Sequence, residues 1–532
     1  MKKIKSLIIY MIIVGIIITG CGENEVISIP SSSNTEDSKI ESSTEISIPI
    51  EKFRSLNPIL SKDEDVYFME KLIYEGLVKL DGNLIPIPAI AESWSYTDDG
   101  KTLIFNIRGK VYWHDGKQLT SADVKFTIDA LMRLQYSKPS IYTKNITNIK
   151  SVTINGNQQV LVKFKSLSDN SIENFCFPII PSHQFYGLGD VGKKEIGFMP
   201  IGTGPYKIAL SDEVQKVVLE ANTQYYGEKK AHNTLIFKIV PNKTEAVNLF
   251  EIGDLMVAFS KETDRQKTFG DKNVNIFPYI SNEVEVLGFN INNVILKDKR
   301  VRQAIATTID TSKIIEEAYY TNGVENDNIY FPNYLGINST EGLIPQNFQK
   351  SMNLLSDAGY INRDGDTFVE DSRGKEISIN ILVNSEEASR VAAAEIIKNS
   401  LDKLPIHTYI MLKDWSEYTS ALSSGNFDVY IGGWKINENY DLRFAFHSKF
   451  NNVARYANPI LDGYLDLMQT GISKEKKIET FIKVKAILNE DIPYFCLAYK
   501  TYAVATSKSL QGVVNPLFFN QFNECEDWSY IK

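Results

Sequence analysis

Gly425-Asn426-Phe427-Asp428-Val429-Tyr430-Ile431-Gly432-Gly433-Trp434-Lys435-Ile436-Asn437 is the stretch on which the reading of this chain turns. Phe427, Val429 and Ile431 alternate with Asp428 and Tyr430, a period of two that predicts a strand. The pair Gly432-Gly433 is read as ending it, since glycine lets another backbone approach closely. Trp434 follows, then a short polar loop. Taken alone this is a core strand closed by a glycine turn. Its wider meaning depends on the segments around it.

The chain has 532 residues, enough for two to four domains, and a formal net charge of -9. That acidic balance argues against a nucleic-acid partner, which would need a basic face. The amino terminus stands apart. Lys2, Lys3 and Lys5 precede an apolar run from Leu7 to Ile18, shorter than the roughly 20 residues that span a bilayer. The run ends in Ile18-Thr19-Gly20-Cys21, small residues before a cysteine that resemble the lipobox of bacterial lipoproteins. Residues 1–20 are therefore expected to be a removed signal peptide and Cys21 the lipidated first residue. Loss of the three lysines takes the charge from -9 to -12. Residues 21–47, rich in Ser, Glu, Asn and Thr, read as a disordered tether too polar to bury, with folding expected from about Ile48. Cys176, Cys496 and Cys525 lie far apart, which allows at most one disulfide and leaves a free thiol.

From there the chain carries clear local signals. Ser55-Leu56-Asn57-Pro58 is a turn. Asp63 to Leu77 reads as an amphipathic helix with Val66, Met69, Ile73 and Leu77 on one face and Asp63, Glu64 and Asp65 in its first turn. Asp99-Gly100 predicts a tight turn before a strand from Thr102 to Arg108. His114-Asp115-Gly116-Lys117 is another turn, and Thr120 with Asp123 is a helix cap. Strand patterns at Thr234–Val240 and Ile377–Val383 alternate with helical ones at Ser385–Leu404 and Lys474–Leu488.

The order of these signals resembles the family 5 extracellular solute-binding proteins, the oligopeptide- and dipeptide-type receptors of ABC importers. The resemblance runs through Tyr74-Glu75-Gly76-Leu77, Ala91-Glu92-Ser93-Trp94, His114-Asp115-Gly116-Lys117 and Thr120-Ser121-Ala122-Asp123-Val124. It continues through Ile201-Gly202-Thr203-Gly204-Pro205-Tyr206, Arg300-Val301-Arg302-Gln303-Ala304-Ile305 and Leu354-Leu355-Ser356-Asp357-Ala358-Gly359-Tyr360. It implies an α/β, two-lobed periplasmic-binding-protein type II-like fold with an extra inserted domain. Lobe I would comprise 48–75, 196–287 and 496–532; the inserted domain II, 76–195; and lobe III, 288–495. It also implies a lipid-anchored monomer on the outer face of the bacterial membrane that takes a peptide ligand and serves a permease and ATPase, without enzymatic chemistry or cofactor. Other members of the family take nickel chelates, haem or oligosaccharides.

The same resemblance points to a cleft. One wall falls on Lys62, Asp63, Glu64 and Asp65, for which helix capping is the plain alternative. The opposite wall is the opening stretch: Gly433 and Trp434 match a strand that pairs with the ligand backbone, and Trp415, ahead of Tyr418, matches a lining aromatic. Three residues beyond the tryptophan, peptide-binding members carry an aspartate that holds the peptide's amino group. Here stands Asn437, followed by Glu438. An amide brings no countercharge, so the resemblance implies either that Glu438 anchors the amine or that the ligand lacks a free one. His114, His183, His232, His407 and His447 are scattered and read as surface or turn residues, and no metal is expected. Asn362, Asp364 and Asp366 begin like a calcium loop, but Thr367 replaces the required glycine, so a polar hairpin turn is the better reading.

Overall fold

The computed structural model describes residues 42–531 apart from 213, 263, 264 and 271–273. The signal peptide, Cys21 and the tether as far as residue 41 lie outside the described residues.

The fold begins earlier than expected. Glu45–Glu51 is a strand that runs parallel to Thr234–Val240, from Glu45 opposite Thr234 to Glu51 opposite Val240. Ile46, Ile48 and Ile50 are at most 1% exposed, so a period-two apolar face starts within the Ser- and Glu-rich segment read as tether. Ser42–Ser43 pairs with Ser529–Ile531 as well. A four-stranded sheet grows outward in the order Glu45–Glu51, Thr234–Val240, Lys216–Ala221, Tyr206–Asp212.

Against it stands the helix Glu64–Ile73, with Asp63 at its N-cap and Glu64 and Asp65 in the first turn, where carboxylates favour the positive end of the helix dipole. The helix ends at Ile73, short of Leu77, because Tyr74 is extended and a second backbone occupies the space beyond. That backbone is the turn Gly202-Thr203-Gly204. Gly204 N donates to Ile73 O at 2.9 Å. A Cβ on Gly202 would lie 1.8 Å from Ile73 O, and one on Gly204 would lie 2.4 Å from Leu72 O. Only glycine allows the two backbones to touch there. His114 clamps the same turn: its Nδ1 accepts from Gly202 N at 3.1 Å, and its Nε2 donates to Gly204 O at 3.2 Å. Burial pushes its pKa down to about 4. This histidine sits in a turn, as expected, but as a mostly buried structural clamp, whereas His447, 1% exposed between Asp462 and Asp466, is buried rather than at the surface.

A separate four-stranded antiparallel sheet, in the order Ala91–Tyr96, Thr102–Ile107, Gln159–Phe164, Ile149–Asn155, packs under the helix Ser121–Leu134. The expected cap forms: Thr120 N donates to Asp123 Oδ2 at 2.9 Å.

The largest sheet is organised by two long strands, Val274–Phe289 and Tyr494–Ser507. At one end they carry Val257–Ser260, and at the other Val429–Lys435, followed by Ser378–Asn384 and His407–Lys413. Between Ile280 and Val284 the register slips, a break in the ladder where the two ends meet. The far end has its own core, in which Val301, Ile305, Leu355, Ile381, Ala393 and Val429 are buried together. Arg302, 3% exposed, turns its guanidinium onto the carbonyls of Leu296 and Ile492, so the motif around it is structural.

In the opening stretch the strand is Val429–Lys435, passing through the glycine pair rather than ending at it. Gly432 is needed because a Cβ would meet the Tyr418 hydroxyl at 2.7 Å, and Gly433 because one would meet Val284 O at 2.6 Å. Gly425, in the left-handed region, closes the helix Trp415–Ser424 ahead of it. Cys176, Cys496 and Cys525 are all free thiols.

Candidate functional site

The first turns of the Glu64–Ile73 helix and the loop after Lys435 face one another across a cavity of about 420 Å³. Lys62, Asp63 and Glu64 line it from one side, and Asn437 and Glu438 from the other. A wider groove of about 910 Å³ lies nearby, with Ser260, Lys261 and Glu262 opposite Tyr320, Glu387 and Ser389. A chain of charges stands between the two spaces: Glu64 pairs with Lys261 on its own side and with Lys435 across the gap at 3.1 Å. Burial raises the Glu64 carboxyl, but the two ammonium groups outweigh it and hold the group below the usual range.

Glu438 makes a second bridge. Its Oε1 accepts from the Tyr67 hydroxyl and lies 3.3 Å from Lys71 Nζ. Lys71 also sits 4.6 Å over the Tyr67 ring. Burial, then the neighbouring Glu438 charge, pushes the Tyr67 hydroxyl well above its ordinary range, so it stays a donor. A lysine ammonium therefore pairs with the carboxylate beside Asn437.

The structure brings together Lys62, Asp63, Glu64, Asn437 and Glu438. The other four candidates stand apart from this cavity. Asp65 turns back to the fold, accepting from Glu51 N at 2.9 Å. Gly433 lies beside the buried pair of Glu285 and Arg390, whose Nε–Oε2 distance is 2.8 Å. Trp434 packs edge-on against Tyr494 and Phe444, with ring centroids 4.8 and 5.6 Å away. Trp415 is 54% exposed and stacks on Tyr418. The strand that carries Gly433 and Trp434 nonetheless keeps a partly unpaired side. On that side Ser378–Asn384 reaches only its Val429 and Tyr430, and beyond them Tyr418 Oη donates to Ile431 O at 2.8 Å.

Several wall residues escaped the sequence reading. Tyr67 and Lys71 follow Glu64 at helical spacing, and that period was signal enough to find them. Asn282 was not findable: it sits in the register break, where its Nδ2 donates to Ile436 O at 2.7 Å. Tyr142 and Cys176 arrive from the sheet-and-helix unit below, which only packing decides.

Asp364, Asp366 and Glu370 place carboxylate oxygens within 4.8 Å of one another. Asn362, Asp364 and Asp366 spend their side chains on the amides of Gly365, Asp366 and Phe368, and Ile361 bridges Glu370. That is the geometry of a polar hairpin turn.

A mixed α/β scaffold whose two ends are joined by continuous strands and face one another across a charged cavity defines a ligand-capturing receptor. Residues 86–453 match the model of the bacterial extracellular solute-binding proteins, family 5, and the chain belongs to that family, whose members bind solutes for ABC importers and are not enzymes. It is 27% identical to the oligopeptide-binding protein AppA of Bacillus subtilis, over 86% of each chain. It is 24% identical to the dipeptide-binding protein of Escherichia coli, over 85% of this chain and 88% of that one. Among solved structures it resembles NikZ from Campylobacter jejuni in complex with Ni(L-His), with a TM-score of 0.62 and 24% identity over 92% of this chain and 99% of that one.

Proposed function

We propose that this protein captures short peptides outside the cytoplasm and delivers them to an ABC permease and its ATPase, held to the membrane as a monomer through a lipid on Cys21. The lobes proposed are 48–75, 196–287 and 496–532 against 288–495, with 76–195 inserted; the strand Glu45–Glu51 belongs with the first. Closure turns on the register break between Ile280 and Val284, and the ligand favours the closed form by contacts made only there.

The observation that carries this reading is the Glu438 bridge. A carboxylate one residue past Asn437 reaches across the cavity to an ammonium and a hydroxyl. Both contacts fall on Oε1, which leaves the second oxygen for a ligand. A peptide amine would find at Glu438 the countercharge that Asn437 lacks, in exchange with or beside Lys71. The relatives whose names describe oligopeptide and dipeptide binding support the peptide reading.

Calorimetric titration of matched free-amine and N-acetylated peptides tests it. Free-amine peptides are expected to bind about tenfold more tightly, and Glu438→Gln to remove the difference, since a charged hydrogen bond contributes about 1.5–3 kcal/mol against about 0.5–1.5 for a neutral one. An unchanged preference in Glu438→Gln overturns the anchor. Native mass spectrometry of the purified protein tests the ligand class: a ladder of peptide masses supports it, and a retained metal chelate or haem replaces it.

A further inference from the structure

Behind the Glu438–Lys71 pair lies a second chamber, also of about 420 Å³. Lys71, Cys176, Glu438 and Phe519 line both spaces, so the ion pair is part of the partition between them. The far wall is acidic: Glu75, Asp81, Glu524 and Glu526 face Lys79. With the partition included, five carboxylates share the chamber with two lysines, a local field that draws in a cation.

These carboxylates differ in what they already hold. Glu75 accepts from the hydroxyls of Tyr225, Tyr226 and Thr203 at 2.9 to 3.0 Å and is spent on the fold. Asp81 accepts from the amides of Asn83 and Ile85 in its own turn. Glu524 pairs with Lys229 at 3.3 Å. Glu526 is held least: the residue is partly exposed and burial raises its carboxyl, but its Oε2 is buried and accepts no hydrogen bond. A buried acceptor without a donor carries an unrecovered desolvation cost, and a donor brought by a ligand would offset it. Phe519 and Tyr225 supply aromatic surface in the same walls.

We propose that this chamber receives the guanidinium or ammonium group of a basic side chain at the first or second residue of a bound peptide. The side chain enters where Lys71 withdraws from Glu438, and its head group donates to Glu526. The inference rests on the peptide reading above and adds a side-chain preference to it.

The test is calorimetry with tetrapeptides carrying arginine, or its neutral isostere citrulline, at the first or second position. Each is used in free-amine and N-acetylated form against the full chain and against Glu526→Gln. Arginine at one of these positions is expected to bind about tenfold more tightly than citrulline. Glu526→Gln is expected to shrink that ratio to under about threefold while citrulline peptides keep their affinity. Equal binding of arginine and citrulline peptides by the unaltered protein overturns the inference and leaves the peptide reading intact. So does a ratio that survives Glu526→Gln, or a loss shared equally by both peptides. If Glu526→Gln does not fold, the ratio in the unaltered protein decides alone. If no peptide binds in any form, the peptide reading falls and this inference with it.

Discussion

The two ends of the helix Glu64–Ile73 are built on opposite terms. At its carboxyl end, Gly202 and Gly204 press backbone against backbone, and His114 satisfies the turn from behind. Nothing there can move without a clash or a lost hydrogen bond. At its amino end, Glu64 and Tyr67 face a cavity of about 420 Å³ and, with Lys71 a turn further on, reach charges on another part of the molecule. The Glu64 bridges are half-exposed and cheap to exchange, the property a site needs if a ligand is to displace what is there. One helix of ten residues thus has a locked end and an end that faces the cavity.

The harshest test of that contrast is Gly202→Ala. With backbone oxygen 1.8 Å from the new Cβ, the turn or the helix end must shift, at a cost of about 3 kcal/mol or more. Chemical denaturation should show it, and a loss under 1 kcal/mol would mean the locked end is not locked.

The clamp predicts a pH signature. His114 titrates near 4 in the folded protein against a usual value of 6.5. The unfolded chain therefore takes up the proton first as pH falls. Its contribution is fully present above about pH 6.5, is lost between there and about pH 4, and amounts to about 3 kcal/mol at most. Melting temperatures of the unaltered protein should fall more steeply across that window than those of His114→Gln, and parallel slopes would refute the clamp.

At the other end, Glu64→Gln should change stability by under about 1 kcal/mol, because both its partners are partly solvated. It removes the charge facing Lys435, however, so the ligand-free protein should open, seen as a larger radius in small-angle scattering. Unchanged dimensions would show that these bridges do not hold the ends together. Trp415→Ala should do least of all: at 54% exposed and apart from the cavity, it is expected to leave melting and peptide affinity almost unmoved. A clear loss of affinity would bring it back into the site.

Much of the scaffold could be read from residues alone, and the reasons are local. The strand Thr234–Val240 appears where its alternation places it, and Thr120 and Asp123 form the cap that their spacing requires. Errors gathered where a neighbour overrides a pattern. The helix expected to reach Leu77 stops at Ile73 because another turn lies on it, and the strand expected to stop at Gly432 continues because the glycines serve Tyr418 and Val284. In the site, charged residues flanking a helix start were visible, whereas their partners were not. Asp63 and Asp65 look alike in sequence, yet one lines the cavity and the other ties the helix to the strand ending at Glu51.

The sequence by itself determined the family, the alternating α/β elements and the place where a countercharge is missing, Asn437, because each rests on residue type and spacing along the chain. Only the tertiary structure decided that Glu438 meets Lys71 and Tyr67, that Glu64 stands between two lysines, and that one oxygen of Glu526 is buried without a donor beside a second chamber. Those pairings join residues hundreds of positions apart. Their energies depend on distance and burial, which no local pattern encodes.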